Sequence, residues 1–301
     1  MEIDVKPRIV FVFGKGGVGR STVAAAVGLH LAERGERVLI LEWAVADTIG
    51  PWFAAGPSGA TYTEIAPRLH VTNFSLDEAL RAYFVDHLHV GPIYRHVIRA
   101  RQVARMLDVA PGLAEMFFLG QLWWLTTLAE REAGLHFDRI IVDAPATGHG
   151  TSLLDIPSTL TAMGTAGLLA VETRRVVDML ADPARTGALV VTLAEPLVVD
   201  ETFELMPRVT ARLGHPPLAV IINRSVAAIA TDDARPIWPS TLSPHSLAAI
   251  GSMYDELHAH AAAERDLRGR LVDPVISVPD QPGRAPLDVV RATTRVFAEA
   301  R

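Results

Sequence analysis

The sequence predicts an α/β fold, a doubly wound and mostly parallel sheet with helices on both faces. Three observations predict it. Short apolar runs rich in β-branched residues alternate with longer helical patterns. The apolar runs lack polar alternation, as strands buried on both faces do. The first run ends in a glycine-rich turn that opens directly into a helical pattern, "VFVFGKGGVGRSTVAA", Val10 to Ala25. Strands joined in this rhythm form right-handed βαβ units, which put the connecting helices on the sheet faces.

In chain order, the runs that read as buried strands are Arg8–Phe13, Val38–Leu41, Leu69–Phe74, Arg139–Val142, Gly187–Leu193 and Leu218–Ile222, with a weaker one at Pro274–Val278. Helical patterns cover Ser21–Arg34, Asp77–Leu88, Leu113–Glu132, Asp200–Leu213, Ser246–Arg265 and Ala285–Glu299. Ser75–Gly134 is too long for a simple crossover and reads as a helical insertion. Its centre, "MFFLGQLWWLTTL" (Met116–Leu128), has two readings: a helix packed on the sheet, or a groove whose Met, Phe and Trp adapt to apolar clients. Asp232–Pro244 reads as a loop.

Bulk chemistry excludes several functions. Half of the 301 residues are hydrophobic and the mean hydropathy is +0.25, which implies a large core. A net charge of −6 argues against nucleic acid or an anionic membrane as the main partner. With no cysteine, disulfides, thiolate zinc sites and a cysteine nucleophile are excluded. The start, "MEIDVKPR", lacks the basic-then-apolar order of a secretory signal. No run approaches the ~18 apolar residues of a spanning helix. The expectation is a cytoplasmic protein with no integral membrane segment. His87 with His89 and His258 with His260 have no convincing metal spacing.

The glycine loop satisfies two patterns. Gly14, Gly16 and Gly19 follow a strand and open a helix as in a dinucleotide fingerprint, and Glu42 lies near where a ribose-binding acid belongs. Gly14 to Ser21 also fits a phosphate loop, with Arg20 in place of its lysine. There, backbone amides of Gly14, Gly16, Gly17, Val18, Gly19, Arg20, Ser21 and Thr22 would converge on phosphate oxygens, and the Ser21 hydroxyl would sit on Mg²⁺. "FDRIIVDAPATGHG" (Phe137–Gly150) favours the second reading. It is a strand ending in an acid, Asp143, placed to hold Mg²⁺ through water, with Gly148 as the pivot of a γ-phosphate-sensing loop.

Lys15, directly after Gly14, is the informative detail. "GKGGVGRST" resembles the deviant phosphate loop of a family of dimeric P-loop ATPases that includes the Min and Par proteins, nitrogenase iron protein, arsenite-pump ATPases and the tail-anchored-protein-targeting ATPase. "DAPATGHG" is similar to the switch of the arsenite-pump and tail-anchored-targeting branch. Ala181–Thr202, "APGLAE" (Ala110–Glu115) and "VPDQPGRAPL" (Val278–Leu287) resemble further segments of that branch. The resemblance implies one P-loop ATPase domain over residues 1–301 with a helical subdomain inserted at about 75–134. It implies ATP or ADP with Mg²⁺ as ligands, and a homodimer or a heterodimer with a paralogous ATPase. Lys15 would reach the partner's nucleotide, and Asn223, in "AVIINR", would contact adenine. His149 corresponds to a switch histidine, structural or a relay to the γ-phosphate. A hydrophobic protein segment is the kind of client the resemblance suggests.

The chain departs from the family's pattern at three places. Arg20 keeps the charge of the phosphate-bridging lysine but has a larger, planar head. The family's switch after strand two carries an aspartate that positions the attacking water, and Ala44 stands there, with Glu42 and Asp47 nearby. Cysteines for metalloid, or for a zinc clamp between subunits, are missing. The expected protein binds ATP with weak or absent hydrolysis, in which Arg20 and a partner's Lys15 neutralise charge on the phosphates. The alternatives are a regulatory pseudo-ATPase subunit paired with an intact paralogue, and a nucleotide-gated carrier of hydrophobic segments.

Overall fold

The computed structural model describes residues 5–81, 112–144, 152–164, 167–229, 241–272 and 274–299. Gly148, His149, His87, His89 and most of the 232–244 loop lie outside them, as does the second half of the helix expected over Asp77–Leu88.

Eight strands form one sheet: β1 (Ile9–Phe13), β2 (Val38–Glu42), β3 (Thr63–Ala66), β4 (Leu69–Asn73), β5 (Arg139–Asp143), β6 (Thr186–Leu193), β7 (Ala219–Ser225) and β8 (Val275–Pro279). Their order is β3-β4-β2-β5-β1-β6-β7-β8. Every pairing is parallel except β3 with β4 at the edge. The doubly wound, mostly parallel sheet expected from the alternating runs is therefore present.

The described helices are α1 (Arg20–Glu33), α2 (Ile49–Trp52), α3 (Leu76–Arg81), α4 (Leu113–Thr127), α5 (Ala129–Ala133), α6 (Ser152–Ala162), α7 (Gly167–Ala181), α8 (Pro196–Leu213), α9 (Pro244–Arg270) and α10 (Pro286–Glu299). They divide between the sheet faces as strand alternation requires. Val10, Val12, Val38 and Ile40 point to one face, where α1 and α10 cover them with Val23, Val27, Val290 and Phe297. Ile9, Phe11, Phe13, Leu39 and Leu41 point to the other, under Phe118, Leu122, Leu153 and Met179 from α4, α6 and α7. Both faces of β1 are buried, which explains its unbroken apolar run.

The Met116–Leu128 stretch lies largely in α4. Phe118, Leu119 and Leu122 are fully buried, and Leu125 nearly so. Phe118 stacks on Trp43 at 4.9 Å and meets Phe74 edge-on at 5.2 Å. Trp43 follows β2 and Phe74 follows β4, so α4 is fastened to the carboxyl edge of the sheet. In open α/β sheets that edge is where ligands bind.

Candidate functional site

The loop between β1 and α1 is shaped by close backbone approach. A Cβ on Gly14 would meet the Val191 carbonyl oxygen at 2.4 Å. Gly17 and Gly19 have φ of 88° and 91°, open to glycine and strained for other residues. A Cβ on Gly19 would also meet Asn223 Nδ2 at 2.2 Å. Lys15, Gly16 and Gly17 are exposed, and Val18 is buried and anchors the loop. Gly19 makes no side-chain cap to α1, so the first-turn amides and the positive end of the helix face outward for an anion. Thr22, half-buried, lies in that first turn.

Asn223 holds the loop from beneath. Buried at the end of β7, its Nδ2 donates to the Val18 carbonyl at 2.8 Å. The side chain expected at adenine thus braces the phosphate loop in this structure.

Arg20, Ser21 and Asp143 meet at the sheet edge. Asp143 ends β5, in register with Val12 of β1 and Glu42 of β2. Arg20 is 8% exposed, and its guanidinium donates from Nη1 to the Ala144 carbonyl at 3.0 Å. It is therefore directed to the segment that follows β5. The Ser21 hydroxyl lies near enough to the Asp143 carboxylate to favour its charged form. Burial pushes the Asp143 pKa up, and Ser21 and the Arg20 charge oppose the shift. Burial lowers the Arg20 pKa in turn, against the pull of Asp143.

The Ser21 and Asp143 oxygens are the hard donors Mg²⁺ requires, so these residues fit that ion. Among the described residues no group of three or more Asp, Glu or His could hold a metal. Phosphate and water oxygens would have to complete its shell.

The segment after β2 is fixed without an acid at Ala44. Asn73 Oδ1 accepts the Ala44 amide at 3.1 Å. Asn73 Nδ2 donates to the Ala44 carbonyl at 3.0 Å and to Asp47 Oδ1 at 2.7 Å. Asp47 Oδ2 accepts the Gly59 amide at 2.8 Å. Burial raises the Asp47 pKa, but hydrogen bonds from Gly59, Asn73 and Ser58 outweigh it and hold the pKa below its ordinary value. Both Asp47 oxygens are thus committed to structure. Glu42 is fully buried, and its Oε1 accepts the amides of Thr48 at 3.1 Å and Ile49 at 3.2 Å, at the start of α2. Both acids near Ala44 are thus engaged in holding the backbone of this segment.

Residues 7–167 match the family model of the anion-transporting ATPases. The chain belongs to that family. It is 29% identical over 226 residues to ATPase BagA of Mycobacterium tuberculosis, a match spanning 73% of this chain and 66% of that protein. It is 25% identical over 209 residues to an arsenical pump-driving ATPase of Escherichia coli, covering 65% of this chain and 36% of the relative. An arsenical pump-driving ATPase of Acidiphilium multivorum is 32% identical over 156 residues, 26% of its length. The chain thus spans under two thirds of the length of these relatives, and about a quarter to a third of the two pump-driving ones.

Two further contacts of this family member, beside those of Arg20 and Asn223, were not foreseen from its sequence. Lys15 Nζ pairs within the chain with Glu201 Oε1 of α8 at 2.7 Å. Asn73 is the second. An amide at the carboxyl end of a strand next to β2 was a usable signal, because that edge carries the site. No motif marks it.

Buried Glu42 gives this ATPase-family chain a pH-dependent stability. Burial raises its pKa to about 7 from an ordinary 4.5, against the amides of Ile49 and Thr48, with Asp143 and Asp47 adding repulsion. Its Oε2 has no hydrogen-bond partner among the described residues. The folded state binds this proton more tightly than the unfolded state. The contribution is complete below pH 4.5 and is lost as pH rises through 7. Glu42→Gln keeps the acceptor for Thr48 and Ile49 and removes the charge. Between pH 5 and pH 8, urea melts should show the parent losing about 2 kcal/mol relative to the variant. Parallel losses in both proteins would remove Glu42 as the cause.

Proposed function

We propose that this chain binds ATP or ADP at the Gly14–Thr22 loop as part of a dimer, and hydrolyses ATP weakly or not at all. The observation that carries the reading is a contrast within one site. The phosphate cradle is complete, with its glycines and its uncapped α1. Arg20 is bonded to Ala144, and position 44 itself carries no acid but an alanine whose backbone Asn73 holds. Backbone amides supply much of a phosphate loop's grip, so binding survives such changes, whereas hydrolysis needs charge placed on the developing transition state.

Ser21 and Asp143 would hold Mg²⁺, whose chemistry is to neutralise and orient the β- and γ-phosphates. Lys15 would exchange Glu201 for the partner's nucleotide when two subunits close. The partner is a second copy or a paralogue with intact catalytic residues. The two altered positions, Arg20 and Ala44, favour the paralogue as the hydrolysing subunit of a heterodimer. A cytoplasmic location accompanies this reading. The carrier reading rests on what remains of α4 outside the core, the half-buried Phe117, Trp123 and Trp124.

Ligand-dependent melting tests the nucleotide reading. ATP with Mg²⁺ at a hundred times its Kd should add about 2.7 kcal/mol to the stability of the chain. Ser21→Ala should remove most of that gain, and NAD⁺ should add none. Stabilisation by NAD⁺ with none from ATP or ADP would replace the reading with a dinucleotide site. Light scattering on the ATP-bound sample should give the mass of a dimer for the homodimer, and of a monomer until a paralogue is added for the heterodimer.

A further inference from the structure

From the last turn of β7 we infer that Glu264 of α9 is a positioning residue for the nucleotide site. Through Ser225 it holds a strained piece of backbone that keeps Asn223 beneath the phosphate loop. The inference rests on the nucleotide site proposed above and names the residues that keep its loop in shape.

Asn223, Arg224 and Ser225 close β7, and the ladder to β8 is uneven there. Its register shifts between Ile222 and Ser225. Arg224 has φ of 51° and is the one exposed residue of a strand otherwise buried. Left-handed backbone costs a residue with a Cβ about fivefold to thirtyfold in population. It persists only where the surroundings over-determine it. Here they act on Ser225. Its hydroxyl donates to Glu264 Oε2 at 2.6 Å and accepts the Ala227 amide at 3.3 Å. Its carbonyl accepts the Asp280 amide at 3.0 Å. Glu264 is 1% exposed, and its Oε1 accepts from Arg268 Nε at 3.2 Å and from the Ser277 hydroxyl of β8. A carboxylate out of water needs a counter-charge and bonds to both oxygens, and this one has them. A fixed acceptor therefore stands against the end of β7.

On the other side of the strained residue is the phosphate loop. Asn223 Nδ2 donates to the Val18 carbonyl at 2.8 Å, and a Cβ on Gly19 would meet the same nitrogen at 2.2 Å. Asn223 thus supports the loop where Gly19, at φ of 91°, turns the backbone into α1. Relaxing Arg224 to negative φ would redirect the end of β7 and withdraw that support. A loop that is competent for only a fraction of the time binds with affinity reduced by that fraction.

The test is equilibrium binding of ATP and ADP, with Mg²⁺, to the purified full chain, to Ser225→Ala and to the double variant Ser225→Ala/Arg224→Gly. Ser225→Ala removes the bond to Glu264 and should weaken binding at least about fivefold, the lower end of the left-handed cost. Glycine takes the left-handed conformation without strain, so the double variant should regain at least half of that loss on a logarithmic scale. A loss below fivefold, or a smaller regain, overturns the inference. A serine that only stabilises the fold would lower the urea midpoint and leave affinity unchanged. If Ser225→Ala does not fold, Ser225→Cys, close in shape and a weaker donor, takes its place under the same criteria. Failure of the parent to bind ATP and ADP overturns the nucleotide reading, and this inference falls with it.

Discussion

Restoring both altered positions, Arg20→Lys together with Ala44→Asp, is expected to raise steady-state phosphate release from ATP by about two decades or more. The single changes should each give far less, because groups that act as a unit are strongly non-additive. The physical reason lies in where the present side chains point. The Arg20 guanidinium donates to the Ala144 carbonyl, just after β5. A lysine carries a compact ammonium on a flexible stem, which can approach a phosphate as a point charge where the larger planar guanidinium does not. At Ala44, Asn73 grips the backbone from both sides through its amide and carbonyl. An introduced aspartate would therefore sit on an already ordered segment at little entropic cost. Phosphate release by the parent, both single variants and the double variant decides the point. A double variant no faster than the parent would mean that the slow step lies elsewhere.

Phe118→Ala should lower the unfolding free energy by about 3–5 kcal/mol, the range for truncating a fully buried aromatic. Phe118 joins three parts of the chain, stacking on Trp43 after β2 and meeting Phe74 after β4. Such ring contacts add about 0.5–1.5 kcal/mol beyond burial. Urea unfolding of both proteins measures the loss. A loss below about 1 kcal/mol would contradict the packing and return this stretch to the groove reading.

Much of the fold was legible because parallel strands buried on two faces leave a plain signature. The seven apolar runs correspond to the seven strands that pair in parallel, within one to three residues at each end. The edge strand Thr63–Ala66 gave no such signal. It is four residues long, pairs antiparallel, and is only partly buried, so it needed neither an apolar run nor clear alternation. Helices α6 and α7 were missed as well. Pro157 inside α6 reads locally as a helix breaker, and only tertiary packing against the sheet overrides it. Pro196 and Ser243 mark earlier helix starts than periodicity suggested, the one as a first-turn proline and the other as an N-cap accepting the Ser246 amide.

The candidate site divides in the same way. Its glycines were readable as a motif, and at Gly14 and Gly19 the structure gives the reason, close approach to Val191 and Asn223. The direction of Arg20, the bracing role of Asn223, the Asn73 clamp and the Lys15–Glu201 pair were not readable. Each joins residues far apart in sequence, and periodicity and spacing carry no record of such contacts.

We propose that this chain holds nucleotide without efficiently hydrolysing it. The most direct measurement takes one sample of the purified chain saturated with ATP and Mg²⁺ and follows bound nucleotide and released phosphate together over time. Bound ATP is expected to persist, with phosphate released at least about a hundredfold more slowly than by Arg20→Lys/Ala44→Asp under the same conditions. Rapid conversion of bound ATP to ADP by the parent, at the rate of that double variant, would contradict it.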